Sequence, residues 1–198
     1  MEHLKFIDSY ISNSINVKRK LMDSEQVLST ISNVANLVID AYRNGNKVLL
    51  AGNGGSAADA QHIAAEFVSR FFFDRPGLPA ISLTTDTSML TAIGNDYGFD
   101  NLFARQVQAQ SRPSDIFIGI STSGNSKNII KAVEMAKREG LISVVLCGET
   151  GALKDIADHA ICVPSTCTPH IQECHICIGH MICAIVEDVI FSKEKENV

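Results

Sequence analysis

The sequence predicts an α/β protein in which a five-stranded parallel sheet lies between two layers of helices, a three-layer αβα sandwich. Five short segments are almost continuously apolar, each is closed by Gly, Ser, Thr or Pro, and helical patterns fill the gaps between them. Strands that are apolar on both faces belong to a parallel sheet covered by helices on both sides. The five predicted strands are Lys47–Gly52, Pro79–Leu83, Asp115–Ile120, Ile142–Cys147 and His159–Val163.

Two amphipathic helices are expected ahead of the first strand. In the first of them, apolar residues recur at intervals of three and four: Leu4, Ile7, Ile11 and Ile15. The second stripe runs over residues 27–41, with Asp23 and Gln26 as a capping pair at its start and Gly45 as its stop. These helices would cover either this chain's own sheet or a partner subunit, and the pattern leaves both alternatives open.

Two strand-to-helix junctions are the candidate ligand sites, because open α/β sheets bind ligands where strands end and helices begin. Gly52-Asn-Gly-Gly-Ser-Ala57 leads into one helix, and Ser121-Thr-Ser-Gly-Asn-Ser126 leads into a helix over Asn128–Glu139. Neither junction has the glycine spacing of a dinucleotide-binding fingerprint or the Gly-Lys-Ser/Thr of a P-loop.

The second junction predicts a phosphate site. Its four hydroxyl groups belong to Ser121, Thr122, Ser123 and Ser126. The first backbone N–H groups of a helix have no partner within that helix, and the helix dipole favours an anion there. Gly124 allows the backbone to approach a ligand closely. This combination favours a phosphate monoester over an ordinary capped loop.

A histidine and a carboxylate follow the first junction. His62 and Glu66 are four residues apart, so on a helix they lie on the same face. Such a pair can share a metal ion or transfer a proton, although surface pairs with this spacing are common.

The last predicted helix runs from about Ile171 to Phe191 and carries Gln172 and His180. These two residues are separated by about 12 Å along the axis of a regular helix. One helix can bring both to a small ion only if Gln172 precedes its first turn. Otherwise, neighbouring subunits would supply one residue each.

The six cysteines all fall in the last quarter of the chain: Cys147, Cys162, Cys167, Cys174, Cys177 and Cys183. In a cytosolic protein they are expected to be reduced thiols rather than a disulfide framework. Cys174 and Cys177 resemble half of a zinc site, but the chain offers no second pair at zinc-finger spacing. We therefore interpret them as core residues.

Length, composition and charge are those of an ordinary globular protein. The chain has 198 residues, of which 45% are hydrophobic and 20% charged, and a net charge of −5. The acidic balance argues against a nucleic-acid partner but allows a phosphorylated ligand held by backbone amides. No apolar run reaches the roughly 18 residues of a membrane span, and no signal peptide is evident. We expect a soluble, cytoplasmic single domain over residues 1–198, with a helical extension over 1–45 and an α/β core over 46–198.

These motifs, in this order, resemble those of the phosphoheptose isomerases, which have the flavodoxin-like sugar-isomerase (SIS) fold. The matching segments are Ala51–Ala57 with His62 and Glu66, Gly94–Asp96, Gly119–Ser126 and Ile171–His180. The resemblance implies an aldose–ketose isomerase that converts sedoheptulose 7-phosphate to D-glycero-D-manno-heptose 7-phosphate through an enediol. It also implies a role in bacterial lipopolysaccharide or capsule synthesis, a homotetramer with active sites at subunit interfaces, N-terminal helices packed in the oligomer, and one Zn²⁺ per subunit.

The resemblance also implies roles for individual residues. Glu66 and His180 correspond to the catalytic acid/base pair. The zinc ligands correspond to His62, Glu66, Gln172 and His180. The residues that bind the phosphate correspond to Ser121, Thr122, Ser123 and Ser126. The remaining substrate-binding positions correspond to Asn53, Gly54, Gly55, Ser56, Glu66, Asn95, Asp96 and Gln172. Pro169-His170 departs from the family, which often has Asp-Arg there, so contacts to the sugar can differ.

A non-catalytic relative is the alternative to an enzyme. The sequence also resembles two classes of non-catalytic proteins with the same fold. One is the protein that associates with the replication initiator DnaA, and the other is the phosphosugar-sensing domains of transcription regulators. The first of these relatives carries non-catalytic residues at the positions of Glu66 and His180, both present here together with His62. The regulators would need a DNA-binding domain, and the sequence shows no pattern of one. A third alternative is an isomerase of arabinose 5-phosphate, but those relatives usually carry additional C-terminal domains that we do not expect here. The residues therefore favour a phosphoheptose isomerase.

Overall fold

The computed structural model describes residues 2–192, which contain five strands and eight α-helices. The strands are β1 (Val48–Gly52), β2 (Ala80–Ser82), β3 (Ile116–Ser121), β4 (Ile142–Cys147) and β5 (His159–Cys162). The helices are α1 (Glu2–Met22), α2 (Glu25–Arg43), α3 (Gly55–Val68), α4 (Thr87–Tyr97), α5 (Leu102–Gln110), α6 (Lys127–Arg138), α7 (Leu153–Ile156) and α8 (Thr168–Phe191). A 3₁₀ turn, Phe99–Asn101, joins α4 to α5.

The five strands form one parallel sheet in the order β2-β1-β3-β4-β5, which confirms the predicted fold class. The chain leaves β1 toward β2 on one side and returns to β3 on the other. The order therefore reverses between β1 and β3, and the loops after these two strands lie side by side at the same edge of the sheet. These are the two junctions that the sequence singled out.

Alternate residues of each strand point into two separate apolar clusters, one on each face of the sheet. Leu50, Ile118 and Leu146 face a cluster with α2, α3 and α8. Leu49 and Phe117 face a cluster with α5, α6 and α7 on the other side. Because both faces are covered, the strands are apolar throughout, as a parallel sheet requires.

The apolar stripe of α1 is not covered by the described part of the chain. Leu4, Ile7 and Ile11 are 70%, 50% and 53% exposed, whereas the buried residues of this helix lie near its C-terminal end. Of the two alternatives for the N-terminal helices, α2 covers this chain's own sheet and most of α1 does not.

The predicted cap of α2 is wrong by one residue, because Ser24 rather than Asp23 accepts the N–H of Val27.

Helix α8 is 24 residues long, with a mean hydropathy of 1.7 in its most apolar window, so by length and composition it could cross a membrane. Its apolar residues pack on α2, α3 and β4, and this packing accounts for the composition. The helix begins at Thr168, with Pro169 in its first turn. Gln172 thus lies inside a regular helix, and the condition under which one helix could bring Gln172 and His180 to one ion is not met.

Candidate active site

The loop between β3 and α6 has the features of an anion site. The hydroxyl groups of Ser121 and Ser126 lie 2.9 Å apart, and the N–H of Gly124 donates to the carbonyl of Ser121 at 3.0 Å. Ser126 occupies the N-cap position of α6, but its side chain does not cap the helix. The first N–H groups of α6 therefore remain available to a ligand. Thr122 is half-buried and Ser123 is exposed.

A second loop, between β4 and α7, packs against the predicted phosphate loop, residues 121–126, and donates hydrogen bonds to it. Gly124 has φ +65°, and a Cβ there would lie 2.4 Å from the carbonyl oxygen of Thr150. The N–H of Gly148 donates to the carbonyl of Thr122 at 3.1 Å, and that of Leu153 donates to Gly124 at 3.0 Å. The loop between β3 and α6 is thus held in place by its contacts with the loop between β4 and α7.

The loop after β1 is joined to the first turn of α6, directly after the predicted phosphate loop, through two amide side chains. Asn53 and Asn128 exchange hydrogen bonds of 2.9 and 2.8 Å. Gly54 has φ +55°, and a Cβ at Gly55 would lie 2.5 Å from Nε2 of Gln172. Ser56, in the first turn of α3, is buried. The structure therefore places Asn53, the two glycines and Gln172 near one another at the edge that carries the phosphate loop.

His62, Glu66 and His180 come together further along α3 and α8. Nε2 of His62 lies 2.9 Å from Nε2 of His180 and 3.1 Å from Oε1 of Glu66. The contact exists because Gly179 allows close packing: a Cβ there would lie 2.5 Å from Cδ1 of Ile63. Glu66 and His180 are half-buried, whereas the side chain of His62 is 49% exposed, so the cluster is reached from solvent.

The same three residues fit a metal ion. The ligand atoms of His62, Glu66 and His180 all lie within 4.8 Å of one another, close enough to bind one metal ion. A neutral imidazole nitrogen carries at most one proton, so Nε2 of His62 cannot donate to both of its neighbours. A cation would satisfy all three groups. Two histidines and a glutamate are a donor set typical of catalytic zinc.

Gln172, the fourth predicted ligand, is not part of this group within one chain. It precedes His180 by two turns of α8, about 12 Å along the axis, and its amide lies against Gly55 instead. Within the subunit, Gln172 is therefore placed next to Gly55, a predicted sugar-binding position, rather than beside His62.

Asn95 and Asp96 lie on α4, where both are exposed and the amide of Asn95 donates to Asp96 at 2.8 Å. None of the hydrogen bonds found over residues 2–192 joins them to the phosphate loop or to His62, Glu66 and His180. The structure thus does not bring this predicted pair into direct contact with the rest of the site.

One carboxylate of the site was missed by the sequence reasoning. Asp59 lies one turn before His62 on α3, and its Oδ2 is buried without a hydrogen-bond partner in the described part of the chain. Burial raises the pKa of Asp59, and the charge of His62 partly opposes this effect. The spacing of three residues to His62 was a signal that could have identified it.

A buried ion pair behind the site was also missed. Glu187 of α8 accepts the N–H groups of Phe71 and Phe72 at 2.8 and 2.6 Å, and it pairs with Arg75. Arg75 donates in turn to the carbonyl of Glu66 at 2.9 Å. The ring of Phe71 lies 5.6 Å from that of His180. No local pattern identifies this network, because it joins segments more than a hundred residues apart.

His170, which stands where the family often has Arg, faces the N-terminal helix. Its ring lies 4.7 Å from that of Tyr10, and its Nδ1 is 3.6 Å from Glu173. Glu173 also accepts from Lys18 at 2.7 Å. His175 is fully buried, and burial lowers its pKa to about 4. Both histidines therefore belong to the packing of α8.

Comparisons with known proteins agree with the fold. Residues 9–148 match the family described as SIS domain. Phosphoheptose isomerase 2 of Campylobacter jejuni is 62% identical over 195 residues, which cover 98% of this chain and 97% of that protein. The phosphoheptose isomerase of Aneurinibacillus thermoaerophilus is 63% identical over 187 residues, 94% of each chain.

Solved structures give the same result. The structure of a phosphoheptose isomerase from Francisella tularensis superposes on this chain with a TM-score of 0.91 and 38% identity. The superposition covers 95% of this chain and 100% of the other. A five-stranded parallel sheet covered by helices on both faces, with this strand order, places the chain in the class of SIS-fold proteins. The chain belongs to the SIS domain family and, within it, to the phosphoheptose isomerases, which confirms the resemblance seen in the sequence.

Proposed function

We propose that this protein is an aldose–ketose isomerase that converts sedoheptulose 7-phosphate to D-glycero-D-manno-heptose 7-phosphate. The observation that carries the proposal concerns the loop after β1. The Asn53–Asn128 pair holds it beside the predicted phosphate loop, and it leads into α3, which meets α8 at His62, Glu66 and His180. The relatives that bear the name phosphoheptose isomerase support the same reaction. The product would supply heptose for bacterial lipopolysaccharide or capsule, in the cytoplasm.

The substrate is proposed to extend from the phosphate loop toward His62 and Glu66. Ser121, Thr122, Ser123 and Ser126 would bind the phosphate together with the first N–H groups of α6. The sugar hydroxyls would contact the first junction and the nearby amide of α8: Asn53, Gly54, Gly55, Ser56 and Gln172. Asn95 and Asp96, which do not contact the rest of the site within one chain, are also proposed to contact the sugar. His62 lies two turns beyond Gly55, about 10 Å along α3. This separation suits an extended carbon chain that is held at one end and reacts at the other.

Glu66 and His180 are proposed to transfer the protons. Moving the carbonyl between C1 and C2 requires one group to remove a carbon-bound proton and another to move a hydroxyl proton. Both side chains are half-buried and face the same space beside His62. This pair, rather than the fold alone, supports catalysis over a non-catalytic binding role.

We further propose that His62, Glu66 and His180 hold Zn²⁺. A bound zinc ion would polarise the substrate carbonyl as a Lewis acid. A metal-bound carboxylate is a weaker base, so Glu66 would serve either as ligand or as base at a given step. For Gln172 to be a ligand of the same ion, a neighbouring subunit would have to supply it, because its own helix holds it two turns away.

A homotetramer with active sites at subunit interfaces is part of the proposal. Its support is the exposed apolar face of α1, in which Leu4, Ile7 and Ile11 are 70%, 50% and 53% exposed. An apolar stripe of this length is typical of a protein–protein contact. We propose that the N-terminal helices pack against neighbouring subunits there.

The test is turnover of the purified protein on sedoheptulose 7-phosphate, measured before chelation, after chelation and after zinc is added back. Turnover that chelation removes and zinc restores supports the complete proposal. Turnover that chelation leaves unchanged retains the isomerase and rejects the zinc site. Absence of turnover in every condition, with phosphosugar binding retained, rejects the isomerase in favour of a binding protein.

A further inference from the structure

Two cysteines at the ends of neighbouring strands form a dithiol outside the candidate active site. Cys147 ends β4, Cys162 ends β5, and the two residues are paired in register. Their sulfur atoms lie 3.6 Å apart. Neighbouring strands are about 4.8 Å apart, which falls within the range of about 4.4–6.8 Å between the Cα atoms of disulfide-bonded residues. The backbone is thus already at disulfide distance.

The two thiols differ in environment. Cys147 is fully buried, whereas Cys162 is half-buried and lines a pocket of about 350 Å³ that also contains Lys154 and Glu149. The hydrogen bond with Cys147 and, to a smaller extent, the ammonium group of Lys154 lower the pKa of Cys162. The same hydrogen bond and burial raise the pKa of Cys147. The accessible cysteine is therefore the better nucleophile, and the buried cysteine keeps its proton.

We propose that Cys162 and Cys147 are a peroxide-reactive pair that forms a reversible disulfide. In the first step the Cys162 thiolate attacks one oxygen of a hydroperoxide. The O–O bond breaks, Cys162 becomes a sulfenic acid, and the other oxygen leaves as water or alcohol after taking a proton. In the second step the Cys147 sulfur attacks the Cys162 sulfur and releases water. The dithiol is oxidised by two electrons, the peroxide is reduced by two, and a small thiol reverses the change by exchange.

The pair is connected to the phosphate loop. Cys147 precedes Gly148, whose N–H donates to the carbonyl of Thr122 and where a Cβ would lie 2.8 Å from that oxygen. A disulfide shortens the sulfur–sulfur distance to about 2.05 Å. The bond changes the side chains at the end of β4, and any accompanying movement of that end reaches the loop, because Gly148 has no free space beside Thr122. Oxidation should therefore weaken phosphate binding, a consequence that rests on the proposed function of this loop.

The first experiment is peptide mapping of the full-length reduced protein after treatment with hydrogen peroxide. We expect a Cys147–Cys162 disulfide that dithiothreitol removes. Cys147→Ala should instead leave a sulfenic acid on Cys162 that dimedone traps. Cys162→Ser should abolish the disulfide, and Cys177→Ser, which alters an exposed cysteine of α8, should retain it. A protein with no such disulfide, or with Cys167 and Cys177 oxidised faster than Cys162, would overturn the proposal.

The second experiment measures binding of inorganic phosphate to the reduced and oxidised protein. We expect a several-fold weaker affinity after oxidation of the wild type, with no change in oxidised Cys162→Ser. Equal affinities in both states would reject the connection to the loop. If reduced protein binds no phosphate, the phosphate site of the proposed function fails, while the mapped disulfide still decides the cysteine pair independently.

Discussion

Arg75 and Glu187 form an ion pair enclosed behind the candidate metal ligands. Nε of Arg75 donates to Oε1 of Glu187 at 3.0 Å, and each side chain is only 1% exposed. Arg75 also donates to the carbonyl groups of Glu66 and Phe67, at the C-terminal end of α3. The pair thus ties α8, which carries His180, to the end of α3, which carries Glu66.

Removal of one partner of this pair should be costly. We expect Arg75→Met to lower the free energy of unfolding by roughly 3–5 kcal/mol, because Glu187 would remain buried and charged without its cationic partner. Urea unfolding measures the change. Lys137→Met is the control, since it removes the exposed Lys137–Asp158 pair and should cost less than about 1 kcal/mol. Equal losses in the two variants would contradict the buried role of Arg75.

Glu66→Gln should remove catalysis but leave phosphate binding intact. General acid–base catalysis contributes about 10²–10⁴-fold, and we expect turnover of the phosphosugar to fall by at least about a hundredfold when this group is lost. The affinity for inorganic phosphate should stay unchanged, because the phosphate loop is built from other segments. Glu134→Gln, at an exposed position of α6, is the control. Substantial residual turnover in Glu66→Gln would reject its assignment.

Gly124→Ala should damage the phosphate loop more than it would an unconstrained turn. Any alanine with a positive φ costs about 1–2 kcal/mol, and at Gly124 the added Cβ would also meet the carbonyl oxygen of Thr150 at 2.4 Å. Gly45→Ala is a matched control, because Gly45 has φ +77° and nothing within 4 Å of its Cβ position. We expect a larger loss of stability for Gly124→Ala, and only this variant should bind phosphate more weakly. Urea unfolding and phosphate titration measure the two effects.

The sequence predicted the sheet and the phosphate loop because both depend on local pattern. Continuous apolar runs specify buried parallel strands, and the hydroxyl-rich segment after β3 specifies a helix N-terminus. The position of Gln172 depends on where α8 begins, which local pattern places only to within a few residues. The reciprocal amide pair of Asn53 and Asn128 and the ion pair of Arg75 and Glu187 join distant segments. Such pairs follow from packing, so no spacing in one sequence could reveal them.

A charge on the exposed face of α1 should prevent assembly if that face contacts another subunit. Ile11 is 53% exposed, so Ile11→Asp should leave the subunit folded but favour smaller species in light scattering after size exclusion. Asn13→Asp adds the same charge at an exposed polar position of the same helix and should leave the assembly unchanged. An unaltered mass for Ile11→Asp would contradict an interface on this face.

Asp115 should make the stability depend on pH in the acid range. Burial alone would raise the pKa of this carboxyl, but hydrogen bonds from Lys47, the Arg112 N–H and Asn46 lower it below its ordinary value. A lowered native pKa stabilises the fold above the unfolded value of about 4, and this contribution is lost as pH falls through the native pKa. Asp115→Asn should therefore be less stable than the wild type at neutral pH, and the difference should shrink below about pH 4. Urea unfolding at neutral pH and below about pH 4 measures this difference in stability.

Asp8→Asn, at an exposed position of α1, is the control and should remain within about 0.5 kcal/mol of the wild type at both pH values. A difference for Asp115→Asn that is constant across this range would show that its effect is steric rather than electrostatic.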